Sequence, residues 1–282
     1  MANPASSNPD ALPSVAQLLR WVRELVPGWQ LEDLGGFRYL EGGYSNRNFR
    51  FTHAGQSYVL RAPFRYRPFV DRQQEQALLL AGALPDTPEI VAFDPVSGRM
   101  VSRWVAGQLL ADLSPTAEEV LDYLRRLHAA LPAASRNYDP LAQARDDLRS
   151  TAAPGWLQRL ADQLVWPAAE TVSCHNDLNP WNVIRTPAGT WVTLDWEWFG
   201  RNDPLFDLVT LHQSLELPRE RLAGLAAGLL GAPAEEARLR ACLRVFWLRE
   251  YAWAAAEIAA GDERPEIAAQ RELGSRRLAE LL

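Results

Sequence analysis

The chain has 282 residues, of which 48% are apolar and 23% charged. That is an ordinary globular composition and excludes disordered and collagen-like chains. Its 29 basic and 35 acidic residues give a formal net charge of -6, so no global field draws in nucleic acid or an anionic membrane.

Met1 to Asp10 is rich in Ser, Asn and Pro, with neither the basic nor the apolar segment of a signal peptide. Leu222 to Leu230, the most apolar stretch, is too short to span a bilayer. A cytoplasmic protein is expected. A helix is predicted over Ser14 to Leu25 from the spacing of Val15, Leu18, Leu19 and Val22, ended by Pro27-Gly28. Short strands follow at Phe37 to Leu40, Asn48 to Thr52 and Ser57 to Arg61, separated by Gly42-Gly43 and Ala54-Gly55. Val70 to Ala83 reads as a helix, and Ile90 to Phe93 pairs with Arg99 to Val105 through a turn. From Leu113 the period is helical, over Thr116 to Leu131 and Ala152 to Leu164. A strand-rich island interrupts it at Thr171 to Asp195, and helices resume from Pro204 to the end. The fold class is therefore α+β. An antiparallel-sheet lobe, 1–104, precedes a mainly helical lobe, 105–282.

The island concentrates polar chemistry between apolar strands, where burying charge without a partner is costly. His175-Asn176-Asp177 is followed by Asn182, and the next strand ends in Leu194-Asp195-Trp196-Glu197. Two carboxylates and an amide oxygen are hard ligands that suit Mg²⁺. A zinc hydrolase would need His or Cys partners at ligand spacing around His175, and none is present. A glycosidase would use paired carboxylates but leaves the Asn182 spacing unexplained. Cys174 and Cys242 sit in apolar contexts without redox or metal spacing, as buried reduced thiols do.

The joint pattern resembles the aminoglycoside phosphotransferase and choline kinase superfamily, which has a two-lobed, protein-kinase-like fold. The resemblance implies that Asp177 orients or deprotonates an acceptor hydroxyl, while Asn182 and Asp195 hold Mg²⁺ beside ATP. His175 then braces the loop, and so does Asp207, within Asp203-Pro204-Leu205-Phe206-Asp207-Leu208. The loop Glu41-Gly42-Gly43-Tyr44-Ser45-Asn46 is similar to a Gly-Gly-x-(Ser/Thr)-Asn nucleotide loop. Gly42 and Gly43 let the backbone approach phosphates, and Ser45 and Asn46 supply donors. The phosphate-binding lysine expected on the third strand is missing, because every one of the 29 basic residues is arginine. Arg61 stands there, with Glu75 as its natural ion-pair partner. Ala106-Gly107-Gln108 is the expected adenine-binding hinge.

The resemblance implies a small-molecule acceptor with a hydroxyl group. Aromatic residues after Asp195 and in the carboxy-terminal helices suit a quaternary or protonated amine such as choline, with Glu197 as the balancing anion. Trp247 and Tyr251, at i and i+4, are either ligand contacts or core. Thiamine and aminoglycosides remain open as acceptors, as does a catalytically silent nucleotide-binding relative. The oligomeric state is not legible.

Overall fold

The computed structural model describes residues 12–65, 67–82, 84, 86–166 and 171–282. The leader Met1 to Asp10 and the expected helix end at Ala83 lie outside the described residues. The chain begins with α1 (Val15–Leu25), β1 (Leu34–Leu40), β2 (Asn46–His53), β3 (Gln56–Pro63), α2 (Arg72–Leu80), β4 (Ile90–Phe93) and β5 (Met100–Arg103). Then come β6 (Gln108–Leu109), α3 (Ala117–Ala130), α4 (Pro140–Arg149), α5 (Gly155–Gln163) and β7 (Val172–Cys174). The hairpin of β8 (Val183–Arg185) and β9 (Trp191–Thr193) leads to β10 (Gly200–Asn202). Four helices complete the chain, α6 (Leu205–Ser214), α7 (Leu222–Leu230), α8 (Glu236–Ala259) and α9 (Pro265–Glu280).

Two compact units result, Met1–Gly107 with Ile184–Glu197, and Gln108–Val183 with Trp198–Leu282. These units differ in two places from the lobes expected at 1–104 and 105–282, since 105–107 and 184–197 group with the first unit. For 184–197 the cause is local hydrogen bonding. Thr193 N donates to Asp86 O at 2.8 Å, Thr87 Oγ1 donates to Thr193 O at 3.2 Å, and Trp196 Nε1 donates to Thr87 Oγ1 at 3.1 Å.

In the first unit the five-stranded sheet runs β1-β2-β3-β5-β4, with every pair antiparallel. Ala54 and Gly55 join β2 to β3 with φ of 47° and 75°, the two left-handed residues that match a hairpin to strand twist. Phe49 and Phe51 point inward while Arg50 and Thr52 are exposed, the period of two that places one sheet face on a core. That face buries Phe49, Phe51, Tyr58, Leu60 and Val101 against Leu18 and Val22 of α1. The second helix starts at Arg72 rather than Val70, because Asp71 caps it by accepting from Gln73 N and Gln74 N.

The second unit is mainly helical, so the α+β class is observed. Thr116 and Glu119 form a capping box at the start of α3. The sequence reading missed α4, although Asp139 caps it, Pro140 opens it, and Leu141, Ala144 and Leu148 are buried at helical spacing. It also missed β10, and with it the partner of β7. Strand β7 pairs with β10, Cys174 opposite Gly200, and not with the β8–β9 hairpin. Both thiols, Cys174 and Cys242, are free and buried. Helices α8 and α9 pack closely where Gly274 leaves no side chain, since a Cβ there would lie 3.1 Å from Tyr251 Cβ. Among the described residues no helix is long and apolar enough to cross a membrane.

Candidate active site

In the second unit the loop 175–182 is held from beneath by one buried carboxylate. Asp207, in the first turn of α6, accepts at Oδ2 from His175 N (2.9 Å) and His128 Nε2 (2.9 Å). Its Oδ1 accepts from Asn176 N (2.8 Å). Burial opposes the charge, yet the His128 hydrogen bond and the backbone donors hold the Asp207 carboxyl below the usual carboxylate range. His175 is fully buried, and its Nδ1 accepts from Asp177 N at 3.2 Å. Asn176 takes a left-handed φ of 69°. Its side chain is fixed in that strained conformation by donating to Trp198 O (2.9 Å) and accepting from Asn202 Nδ2 (2.9 Å).

This frame presents Asp177. Its carboxylate accepts at Oδ2 from Asn179 Nδ2 and Asn182 Nδ2, both at 3.3 Å, and the side chain is 28% exposed. Asn182 Nδ2 also donates to Asp177 O at 2.9 Å, which turns the Asn182 Oδ1 acceptor away from Asp177. One partner escaped the sequence reading. Arg249 of α8 donates through Nη2 to Asp177 Oδ1 (3.3 Å) and through Nη1 to Asn176 O (2.6 Å). Its guanidinium is buried over the rings of Phe206 and Phe246. The available signal was a single arginine inside the apolar run Phe246-Trp247-Leu248-Arg249, since a charge there needs a partner.

In the first unit Arg61 and Glu75 meet at 2.6 Å, both buried. Arg61 Nη1 also reaches Asp195 Oδ1 at 3.0 Å, and Nη2 donates to Gly98 O at 3.3 Å. Burial opposes the Glu75 charge, but Arg61 and Arg72 hold its carboxyl below the ordinary range. Asp195 has a left-handed φ of 56°, which a short polar residue tolerates best. In the loop between β1 and β2, Gly42 takes a φ of 100°. A Cβ on Gly43 would collide with Asn46 O at 2.0 Å, so that glycine is required by its own hairpin. Ser45 Oγ accepts from Arg67 Nη2 at 3.4 Å. Asn46 is buried and turns its amide inward, donating to Asp195 Oδ2 (3.2 Å) and Glu197 Oε2 (3.0 Å). The expected hinge glycine, Gly107, has a packing reason, since a Cβ there would lie 2.4 Å from Arg185 O.

Three expected acceptor residues are placed otherwise. Glu197 is buried in the first unit, and its Oε2 is shared by Arg72 Nη2 at 2.9 Å and Asn46. Burial and the adjacent Asp195 charge push its carboxyl up. In the second unit Trp247 is buried, donates to Gln213 Oε1 at 3.2 Å and packs edge-on against Phe246. Tyr251 is buried against Gly274. An anion already paired and two covered rings do not make an amine cage, so the core reading of Trp247 and Tyr251 is the one the packing supports. Trp247→Leu and Tyr251→Leu are accordingly expected to cost about 2 kcal/mol each, or roughly 5 °C in melting temperature. Acceptor KM should stay unchanged in both. A shifted KM at unaltered melting temperature would restore the cage.

By residue type each unit offers a hard ligand of the kind magnesium takes, a part-exposed carboxylate from Asp195 in the first and the amide oxygen of Asn182 in the second. Among the described residues, the buried donor Arg61 Nε and the buried acceptor Asn46 Oδ1, both in the first unit beside Asp195, have no hydrogen-bond partner. Such atoms normally find partners, so a bound phosphate oxygen and a hydrated cation are fitting ones.

An antiparallel sheet followed by helices, with a braced loop carboxylate in the second unit and a buried arginine–glutamate pair in the first, agrees with the phosphotransferase class that the motifs resemble. The chain belongs to the phosphotransferase enzyme family, whose sequence profile matches residues 36–246. Its fold is similar to that of a choline/ethanolamine kinase family protein from Mesorhizobium loti, with TM-score 0.70, 22% identity and 94% of each chain covered. It is also similar to choline kinase LicA from Streptococcus pneumoniae, with TM-score 0.72, 18% identity, and 93% of this chain and 99% of that one covered. Protein LicA of Haemophilus influenzae is 27% identical over 202 residues, covering 64% of this chain and 58% of that protein. The chain thus spans about three fifths of the length of the curated relatives it matches.

Proposed function

We propose that this chain transfers the γ-phosphoryl group of ATP to the hydroxyl of a small amino alcohol, with choline the leading acceptor. The observation that carries the reading is Asp177, a part-exposed carboxylate fixed by Asn179, Asn182 and Arg249 on a loop braced by Asp207. A carboxylate so oriented accepts the proton of an attacking hydroxyl. Asn182 and Asp195 would hold Mg²⁺, which when bound neutralises phosphate oxygens. Arg61 keeps Asp195 and Glu75 in place and has its Nε donor left for a nucleotide oxygen. Gly42, Gly43 and Ser45 offer backbone and hydroxyl donors to the phosphates. Asn46 supports Asp195 from the side.

Choline is supported by the two solved relatives whose names include choline kinase, and by Trp181, 59% exposed on the same loop as Asp177. A flat aromatic face attracts a quaternary ammonium group. The deciding experiment is ADP release with ATP and Mg²⁺ over choline, ethanolamine, thiamine, homoserine and aminoglycosides. Release stimulated by choline or ethanolamine is the expected result. Stimulation by another acceptor alone would move the assignment within the family, and Mg·ATP binding with no stimulation would favour a silent nucleotide-binding relative.

A further inference from the structure

The lysine-free charge cluster of the first unit contains a cation that neither the motifs nor the family resemblance assigns. Arg72, one residue inside α2, donates through Nη1 to Glu75 Oε2 at 2.7 Å. Through Nη2 it pairs with Glu197 Oε2 at 2.9 Å. Arg61 holds the other Glu75 oxygen, at 2.6 Å, and reaches Asp195 Oδ1 at 3.0 Å. Asn46 Nδ2 then joins Glu197 Oε2 (3.0 Å) to Asp195 Oδ2 (3.2 Å). The contacts close on themselves in the order Asp195, Arg61, Glu75, Arg72, Glu197, Asn46 and back to Asp195.

We propose that Arg72 is a positioning residue for nucleotide binding, the second cation of a six-residue ring that fixes the orientation of Asp195. The inference rests on the nucleotide-binding role proposed above. Two guanidinium groups face three carboxylates, and only a forked cation spans Glu75 and Glu197 at once. Glu75 and Glu197 have side-chain exposures of 1% and 3%, so losing Arg72 would strand buried negative charge beside Asp195. Backbone geometry independently makes room for it. Gly98 has a φ of 70°, and a Cβ there would lie 2.7 Å from Arg72 Nε. The carbonyl of the same glycine accepts from Arg61 Nη2. One turn between β4 and β5 therefore seats both arginines.

The test is calorimetric titration with Mg·ATP, alongside thermal melts, of the unsubstituted chain, Arg72→Gln, Arg72→Lys and the double variant Arg72→Gln/Glu197→Gln. Arg72→Gln is expected to weaken Mg·ATP binding by about tenfold or more, the scale of unpairing a buried charge. Arg72→Lys should retain part of the affinity. The double variant should regain part of what Arg72→Gln loses, because it removes the stranded carboxylate. A melting temperature that falls while the affinity of the folded protein stays at the parent value would overturn the inference. If Arg72→Gln does not fold, Arg72→Lys carries the same test, since it keeps the charge without spanning both carboxylates, and parental affinity there overturns it equally. Failure of the unsubstituted chain to bind Mg·ATP would instead overturn the nucleotide reading and this inference with it.

Discussion

Asp177→Asn is expected to lower phosphoryl-transfer turnover by about 10²-fold or more, the scale of losing a positioned proton acceptor, while Mg·ATP affinity stays close to the parent value. The reason lies in what the carboxylate faces. Its Oδ2 accepts from two amide nitrogens, Asn179 Nδ2 and Asn182 Nδ2, and its Oδ1 from Arg249. An asparagine keeps the size but offers one acceptor and one donor where three donors converge. The mismatch costs on the order of 1–3 kcal/mol locally, which a melting curve will register. That cost acts on stability, whereas the lost proton acceptor acts on turnover, so measuring both separates them. Near-parental turnover would remove Asp177 from the chemistry.

Asp195→Asn is expected to abolish measurable Mg·ATP binding, with the fold retained. Asparagine is the better substitution than alanine here because the residue sits at φ 56°, where a residue without a short polar side chain pays about 1 kcal/mol or more. The amide keeps an acceptor for Arg61 Nη1, while its nitrogen meets the Asn46 Nδ2 donor where Asp195 Oδ2 had accepted, a local mismatch that a melting curve registers. Arg61 retains Glu75 at 2.6 Å, so the cation stays paired. Calorimetry that gives the parental affinity would show that Asp195 is not a metal ligand.

The residues that announced themselves in the sequence are those whose type is unusual for their surroundings. His175, Asn176, Asp177 and Asn182 lie together in a polar loop between apolar strands, and Asp195 lies two residues beyond a strand of Trp, Val and Thr. Asp207 was legible only through its family resemblance, since a lone aspartate opening a helix normally reads as a favourable first-turn charge. What it does, receiving two backbone N–H groups and His128, depends on contacts between residues 79 and fewer positions apart in the chain. Arg249 is the counter-example. It touches Asp177 across 72 residues, and no local pattern encodes such a distance.

Charge balance explains the other departures. Glu197 follows Asp195 closely and reads as a free anion, but the arginine that neutralises it comes from α2, more than a hundred residues earlier. Asn46 reads as a phosphate donor from its loop, yet it begins β2 and faces the carboxylates. Trp247 and Tyr251 illustrate the limit of helical spacing, which identifies a shared face but not what covers it. Helix α4 was missed for the opposite reason. Its apolar residues are few and small, so Asp139-Pro140 and the buried Leu141, Ala144 and Leu148 make a weak period. Strand β10 is three residues long, below the length at which alternation can be read.

The central claim, that Asp177 serves transfer of phosphoryl from ATP to a hydroxyl, is tested most directly by single-turnover transfer. The unsubstituted chain and Asp177→Asn are each mixed, in excess, with γ-labelled ATP, Mg²⁺ and choline, and labelled product is followed in time. The account predicts labelled phosphocholine from the unsubstituted chain and a transfer rate lower by about 10²-fold or more in the variant, with equal nucleotide bound in both. Equal transfer rates in the two proteins, or label reaching only water, would contradict it.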